Sequence, residues 1–342
     1  MASLVTGGSG YFGHVLVRKL RERGEQVAVF DLLDSTERPA DVTYHRGDIR
    51  DLEAVRRACQ GMEVVYHNVA QVPIAKDRAA FWSVNRDGTE NTLRAAREAG
   101  ARKVVYTSSS AVFGVPKRNP VGPDDEPHPM EAYGRAKFAG EQLCRAAVAQ
   151  GFPVDIVRPR TIVGHGRLGI FQILFEWIRE GRNVPVLGRG DNVYQFVHAD
   201  DMAEAVLLAG QRHEPGVYNI GTDRYGSMRA VLEHLCRVAG TGSRVRRVPM
   251  WPAIAAMNLT SLLGLSPLGP YHALMYGRSM YFDISRAQAE LGWQPRYSNE
   301  EMFEETYRWY VAHRDEVLSA TAASHHRSPM RQGVLALLKY VL

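Results

Sequence analysis

The chain has 342 residues, 45% hydrophobic and 23% charged, the proportions of an ordinary globular protein, which excludes wholesale disorder and a coiled coil. Its formal charge of +5 comes with basic residues interleaved with Asp and Glu along most of the chain, so no nucleic-acid partner is expected. Cys59, Cys144 and Cys236 stand far apart with no C-x-x-C spacing, which argues against a disulfide framework and against a metal site.

The opening MASLVTGGSG runs straight into a strand and a glycine turn. It leaves no room for a charged segment followed by an apolar signal core, so a reducing, cytoplasmic location is expected. The Asn-Leu-Thr at Asn258 then reads as a chance sequon.

Apolar runs alternate with helix-period segments in chain order: ASLVT, Phe12 to Arg23, QVAVFD, Leu52 to Cys59, EVVYHN, Ala80 to Ala99, KVVYTSS, Ala132 to Ala149 and VDIVRP. Strands made of unbroken Val, Ile and Tyr are buried on both faces, as in a parallel sheet covered by helices. The rhythm predicts an α/β fold, a doubly wound parallel Rossmann sheet, over residues 1–160. Beyond it lie an apolar helix from Ile170 to Ile178, a glycine-rich turn at Leu187 to Asp191, a strand at Gln195 to His198, and helices near Asp201 and Met228. These predict a smaller substrate-binding lobe over 161–322, with segments returning to the sheet. The apolar stretch Met250 to Tyr276 is broken by Pro252, Pro267 and Pro270, which makes it a poor membrane span. Residues 323–342 form a basic and apolar tail that reads as a helix docked on the parent domain; peripheral membrane contact is the alternative.

Thr6-Gly7-Gly8-Ser9-Gly10-Tyr11-Phe12-Gly13 follows the first strand and opens the first helix. Glycines at 7, 10 and 13 allow a tight turn, close approach of backbone N–H groups to a pyrophosphate, and close helix-to-strand packing. The second strand ends in Asp31, in the register of the carboxylate that binds a ribose 2′-hydroxyl. That carboxylate would repel a 2′-phosphate, and Leu32 and Leu33 supply no arginine, so the expected cofactor is NAD rather than NADP. Asp48 and Ile49, after the third strand, are placed at the adenine edge, with a helix-capping role for Asp48 as the alternative.

Tyr133 and Lys137 lie four apart at a helix start and so project from one face. A lysine ammonium near the phenol, beside a positively charged nicotinamide, lowers a tyrosine pKa toward working pH and makes Tyr133 a general base. The Ser108-Ser109-Ser110 cluster ends a strand at the carboxyl edge of the sheet, where α/β folds place ligands.

In the order TGGSGYFG, Asp31, GDIRD, VNRDGTENTL, YTSSSAVFG, YGRAK, VRPRTIVG, FVHADDMAEAV and LGWQP, the chain resembles the extended short-chain dehydrogenases of the NAD-dependent epimerase/dehydratase superfamily. The resemblance implies Ser109, five residues before Gly114, as the catalytic serine, Tyr133 as acid/base and Lys137 as its partner. It implies Gly7, Gly10, Tyr11, Phe12, Gly13 and Asp31 at the cofactor and places Asn85 near the cofactor channel, although a helix-start cap explains Asn85 as well. It also implies a homodimer through the helices near Ala80 to Ala99 and Ala132 to Ala149.

Where nucleotide-sugar members carry an asparagine and an arginine toward the sugar-nucleotide diphosphate, this chain has Thr161 and Tyr194. Arg158, Arg160, Arg167, Arg189 and Arg278 are the available substitutes. Ser110, Thr161, Tyr194 and Arg278 are the expected substrate contacts. The apolar lobe, with Trp251, Pro252, Met257, Leu262, Leu263 and Leu265, suits a hydrophobic substrate or a membrane-surface approach, with simple lobe packing as the first alternative; the resemblance to 3β-hydroxysteroid and sterol-4-carboxylate dehydrogenases implies a sterol-like 3β-hydroxy substrate slightly ahead of a nucleotide sugar. Asp124, Asp125 and Glu126 are either tuning residues for the chemistry or a solvated turn.

Overall fold

A computed structural model describes residues 1–72, 79–167, 169–262 and 275–319. Leu263, Leu265, Pro267, Pro270 and the 323–342 tail lie outside the described residues.

Seven parallel strands form the central sheet: β1 (Ala2–Thr6), β2 (Gln26–Asp31), β3 (Thr43–Arg46), β4 (Val64–His67), β5 (Lys103–Thr107), β6 (Val154–Pro159) and β11 (Val217–Ile220). Their order is β3-β2-β1-β4-β5-β6-β11. The chain reverses direction across the sheet between β1 and β4, which opens a crevice at the carboxyl ends of those strands. Register holds the ends level, with Thr6 opposite both Phe30 and His67, and Thr107 opposite Val157. The loops after β1, β2, β4, β5 and β6 therefore converge on one edge.

Helices α1 (Tyr11–Glu22) and α7 (Ala199–Gln211) pack on one face of the sheet through Leu16, Leu20 and Val206. The other face is covered by α2 (Leu52–Cys59), α4 (Gly88–Glu98) and α5 (Ala132–Ala149) through Val55, Leu93 and Cys144. The segment read as one helix from Ala80 to Ala99 begins as a short α3 (Ala79–Trp82) and passes through a π turn (Ser83–Asp87) before α4. Asn85 sits in that π turn, and its amide group exchanges two hydrogen bonds of 2.9 Å with the backbone of Gln71. It staples the loop after β4 and caps no helix. The cap of α2 is Asp51, which accepts from Glu53 and Ala54 N–H.

The sheet does not end at Arg160. Its seventh strand, VYNI, and α7 come from the segment assigned to the lobe, a four-residue run too short to stand out as a strand by pattern alone. The lobe has its own core of Phe175, Trp177, Phe303 and Tyr310, built by α6 (Phe171–Arg179), α8 (Met228–Ala239) and α10 (Asn299–Ala312). Small strand pairs join it: β7 (Thr161–Val163) with β10 (Phe196–His198), β8 (Val184–Leu187) with β13 (Val245–Val248), and β9 (Val193–Tyr194) with β12 (Gly226–Ser227). One further helix, α9 (Met250–Leu262), lies at its margin.

A buried ion pair fixes α5 on the sheet. Arg158, on β6, donates from Nε (2.8 Å) and Nη2 (2.6 Å) to the carboxylate of Glu141, on α5. The Ser108 hydroxyl, just past β5, donates to the same carboxylate at 2.6 Å. Both charged side chains are fully buried. Removing one partner strands the other charge in the interior, so Glu141→Leu is expected to lower unfolding stability by roughly 3–5 kcal/mol. Adding Arg158→Leu should return most of that loss in urea unfolding; a double variant no more stable than the single one would contradict the pairing.

Candidate active site

The turn between β1 and α1 is as tight as the sequence requires. Gly7 has φ +71° and donates its N–H to Phe30 O at 2.8 Å. A Cβ added to Gly13 would lie 2.0 Å from Gly7 O, so the helix can approach the strand only with glycine there. Asp31, at the end of β2, accepts from Ser9 N–H (3.1 Å) and Leu32 N–H (2.8 Å). Burial raises its pKa, and these backbone donors act against that rise. Beside it the Ser9 hydroxyl is buried without a partner. A glycine-only cradle, an orphaned hydroxyl and a fixed carboxylate are the features a dinucleotide site needs.

Asp48 and Ile49 are placed differently from the turn residues. Ile49 is buried in the core under α4, while Asp48 is paired with Arg50. Neither lines the cavity described below.

Tyr133 and Lys137 stand in the first turns of α5, whose N-cap is Glu131. The Glu131 carboxylate accepts from Tyr133 N–H (2.7 Å) and Gly134 N–H (2.6 Å), fixing the backbone that carries the tyrosine. Burial pushes the Tyr133 phenol up to about 12, against a hydrogen bond with the Ser109 side chain and the charge of Arg167. Ser109 caps the 3-10 turn Ser110–Phe113, accepting from Ala111 N–H at 3.1 Å. Lys137 Nζ donates to Thr107 O at 2.7 Å and sits 4.4 Å from the centre of the Tyr106 ring. Burial lowers its pKa to about 7. Lys137 is thus held by Thr107 and Tyr106, and the charge of Arg167 also acts to lower the pKa of the phenol.

These groups open into one cavity of about 990 Å³. Gly7, Gly10, Tyr11, Phe12, Gly13 and Asp31 line one part of it, and Ser109, Tyr133 and Lys137 line the middle. Ser110, Thr161 and Tyr194 also face it, with Thr161 Oγ1 and Tyr194 Oη 3.0 Å apart. The remaining wall is apolar, including Phe171, Leu174, Trp177, Leu232 and Met257. Arg278 is exposed and does not line the cavity. Asp124 pairs with Arg286 and Asp125 with Arg118 on the surface, and neither reaches the cavity, so that loop is a solvated turn. Of the five candidate arginines, Arg160 and Arg167 line it. Pattern reading missed Asn68 and Gln71, which also line it. Only their position after a strand at the carboxyl edge marks them, a signal that needs the topology first.

The model of the NAD dependent epimerase/dehydratase family matches residues 3–221. The chain belongs to this family. Among relatives, the uncharacterized protein y4nG of Sinorhizobium fredii is 52% identical over 99% of this chain and 86% of its own length. The human sterol-4-alpha-carboxylate 3-dehydrogenase, decarboxylating, is 27% identical over 88% of this chain and 86% of that protein. Among solved structures, the UDP-glucose 4-epimerase of Thermotoga maritima with UDP-glucose superimposes with a TM-score of 0.77 at 26% identity, covering 91% of this chain and 99% of that one. As a member of the epimerase/dehydratase family, the protein is an NAD-dependent enzyme of the extended short-chain dehydrogenase type.

The Lys137 ammonium gives a pH-dependent stability with a definite sign. With its folded pKa near 7 and an unfolded value of 10.5, the unfolded chain binds more protons between those limits, so stability rises with pH across that window. Below pH 7 both states are protonated and the desolvation cost is felt in full. Lys137→Met removes this dependence. The stability of the variant relative to wild type should fall by about 2 kcal/mol between pH 6 and pH 9. A difference that stays constant across that range, followed by thermal unfolding, would contradict a neutral buried lysine.

Proposed function

We propose that the protein interconverts a hydrophobic secondary alcohol, of the 3β-hydroxy, sterol-like class, and its ketone by hydride transfer with NAD. The observation that carries the reading is the predominantly apolar wall beyond Tyr133, with Phe171, Leu174, Trp177, Leu232 and Met257, although Arg160, whose Nε and Nη2 have no partner among the described residues, and Arg167 also line the cavity. Thr161 and Tyr194 are within hydrogen-bond distance of each other. Arg158 is committed to Glu141. Arg160 lies 4.6 Å from the Tyr194 ring centre and donates to Ser110 Oγ at 2.9 Å. Arg189 is 79% exposed beside Asp191. Strong diphosphate recognition uses bidentate, charge-assisted bonds, and of the five candidate arginines only Arg160 and Arg167 line the cavity.

For the proposed oxidation, the glycine turn would hold the pyrophosphate of NAD and Asp31 its ribose, and the cofactor would supply the hydride acceptor for the carbinol carbon. Tyr133 Oη takes the hydroxyl proton as the C–O bond becomes a carbonyl, and Ser109 holds the reacting oxygen. With the phenol pKa near 12, almost no phenolate is present at neutral pH, so the proton transfer depends on positive charge beside it. Arg167 supplies part of that charge from the protein. Lys137 positions the nicotinamide ribose and adds positive charge to the pocket when protonated. Lining the chamber with apolar side chains excludes water and strengthens each of these interactions.

The structural likeness to the Thermotoga UDP-glucose epimerase favours a second reading, in which the same first oxidation is followed by return of the hydride to a nucleotide sugar. Mixing the protein with NAD and, separately, 3β-hydroxysterols and UDP-sugars decides between them. Net NADH formed with a sterol, abolished or reduced by about 10²–10⁴ in Tyr133→Phe with NAD affinity retained, is the expected result. An epimerised sugar without net NADH would overturn the sterol reading.

A further inference from the structure

Helix α9 is a chain of 13 residues, MWPAIAAMNLTSL, without a single charge. A helix apolar on all sides is stable in water only when something covers it. One side is accounted for: Pro252, Ala253, Ala256, Met257 and Thr260, at helical spacing, line the catalytic cavity. The opposite side carries Trp251, Ala255 and Leu259 at i, i+4 and i+8, all exposed, with Trp251 78% and Leu259 58% accessible. None of the described side chains of α9 is buried.

Along the sequence, the charge flanking this helix is of one sign. Residues 234–282 contain no Asp or Glu and include Arg237, Arg244, Arg246, Arg247 and Arg278. All five are exposed, and among the described residues none makes an ion pair. Elsewhere Arg18, Arg21, Arg23, Arg38, Arg56 and Arg86 each face a carboxylate. Three of the arginines stand in or beside β13, the strand that leads directly into α9. A run of cations with no carboxylate between them, beside exposed Trp and Leu, matches the anionic headgroups and acyl boundary of a bilayer.

We propose that α9 and the β13 arginines form a docking surface for a membrane carrying anionic lipid. The outer face of α9 enters the headgroup boundary with Trp251 foremost, and the arginines meet the lipid phosphates. Because the inner face of the same helix is a wall of the catalytic cavity, a hydrophobic substrate passes from the bilayer to Tyr133 along α9. This deepens the hydrophobic-substrate reading, yet the docking is tested without turnover, so each can fail separately.

Flotation of the full-length protein with phosphatidylcholine vesicles, with and without phosphatidylglycerol, provides the test. Binding should be at least about tenfold stronger with phosphatidylglycerol and should weaken as salt is raised. Trp251→Glu and the double change Arg246→Glu/Arg247→Glu should each remove most of it while NAD affinity, measured in parallel, stays unchanged. Vesicles with brominated acyl chains should quench the fluorescence of wild type and leave that of Trp251→Phe much less affected. Absence of flotation would overturn the proposal. Flotation undiminished in both variants would also do so, by assigning the contact to another part of the chain. A third contrary result is no flotation together with a lower mass in solution for Trp251→Glu, which would identify the covering partner as a second copy.

Discussion

The contact on which the site depends is the buried bidentate pair between Arg158 and Glu141, with the Ser108 hydroxyl on the same carboxylate. It joins β6, α5 and the end of β5 at one point. An ion pair so placed gains little net stability over apolar side chains of the same size; its effect is to allow one orientation and penalise others. A rotation of α5 would separate Arg158 from Glu141 and would also turn Tyr133 and Lys137 away from the crevice. The strand-end position of Ser109 follows from the same junction, because Ser108 beside it is engaged by Glu141.

Around that junction the fold brings together groups whose charged forms are disfavoured by burial. Burial weakens the ammonium of Lys137 and raises the pKa of the Tyr133 phenol, so it biases both toward their neutral forms. His67, beneath the site, hydrogen-bonds Thr6 and Thr89 and is driven to about 3 by burial, and so remains neutral. A low-dielectric chamber with few fixed charges is one in which a ligand's own charge has a large effect. The arrangement therefore couples binding to proton affinity: the phenol becomes a usable base only when positive charge is brought next to it.

The sheet and cofactor turn were legible because local physics dictates them. Unbroken Val and Ile runs need cover on both faces, and Gly13 has backbone against its missing side chain. Helix spacing placed Tyr133 and Lys137 together. What pattern could not supply was the identity of distant partners. The seventh strand is four residues long and is defined by pairing with β6, 61 residues away in the sequence. Lys137 donates its hydrogen bond to Thr107 O, and Arg167, whose charge acts on the phenol, stands in the loop after β7. Asn85 staples Gln71, and Ile49 goes to the core; both assignments depend on how a loop folds back, which composition does not encode. The substrate wall was visible only as apolar composition until the fold divided α9 into a face lining the cavity and a face turned outward.

The proposed chemistry is one transfer, hydride moving between a carbinol carbon and NAD beside Tyr133. Supplying NAD and an apolar 3β-hydroxy substrate deuterated at the carbinol carbon, then weighing the nicotinamide product, tests it directly. Deuterium should accumulate in reduced NAD while the alcohol becomes a ketone. Deuterium retained in the alcohol, with no label in the cofactor, would contradict it.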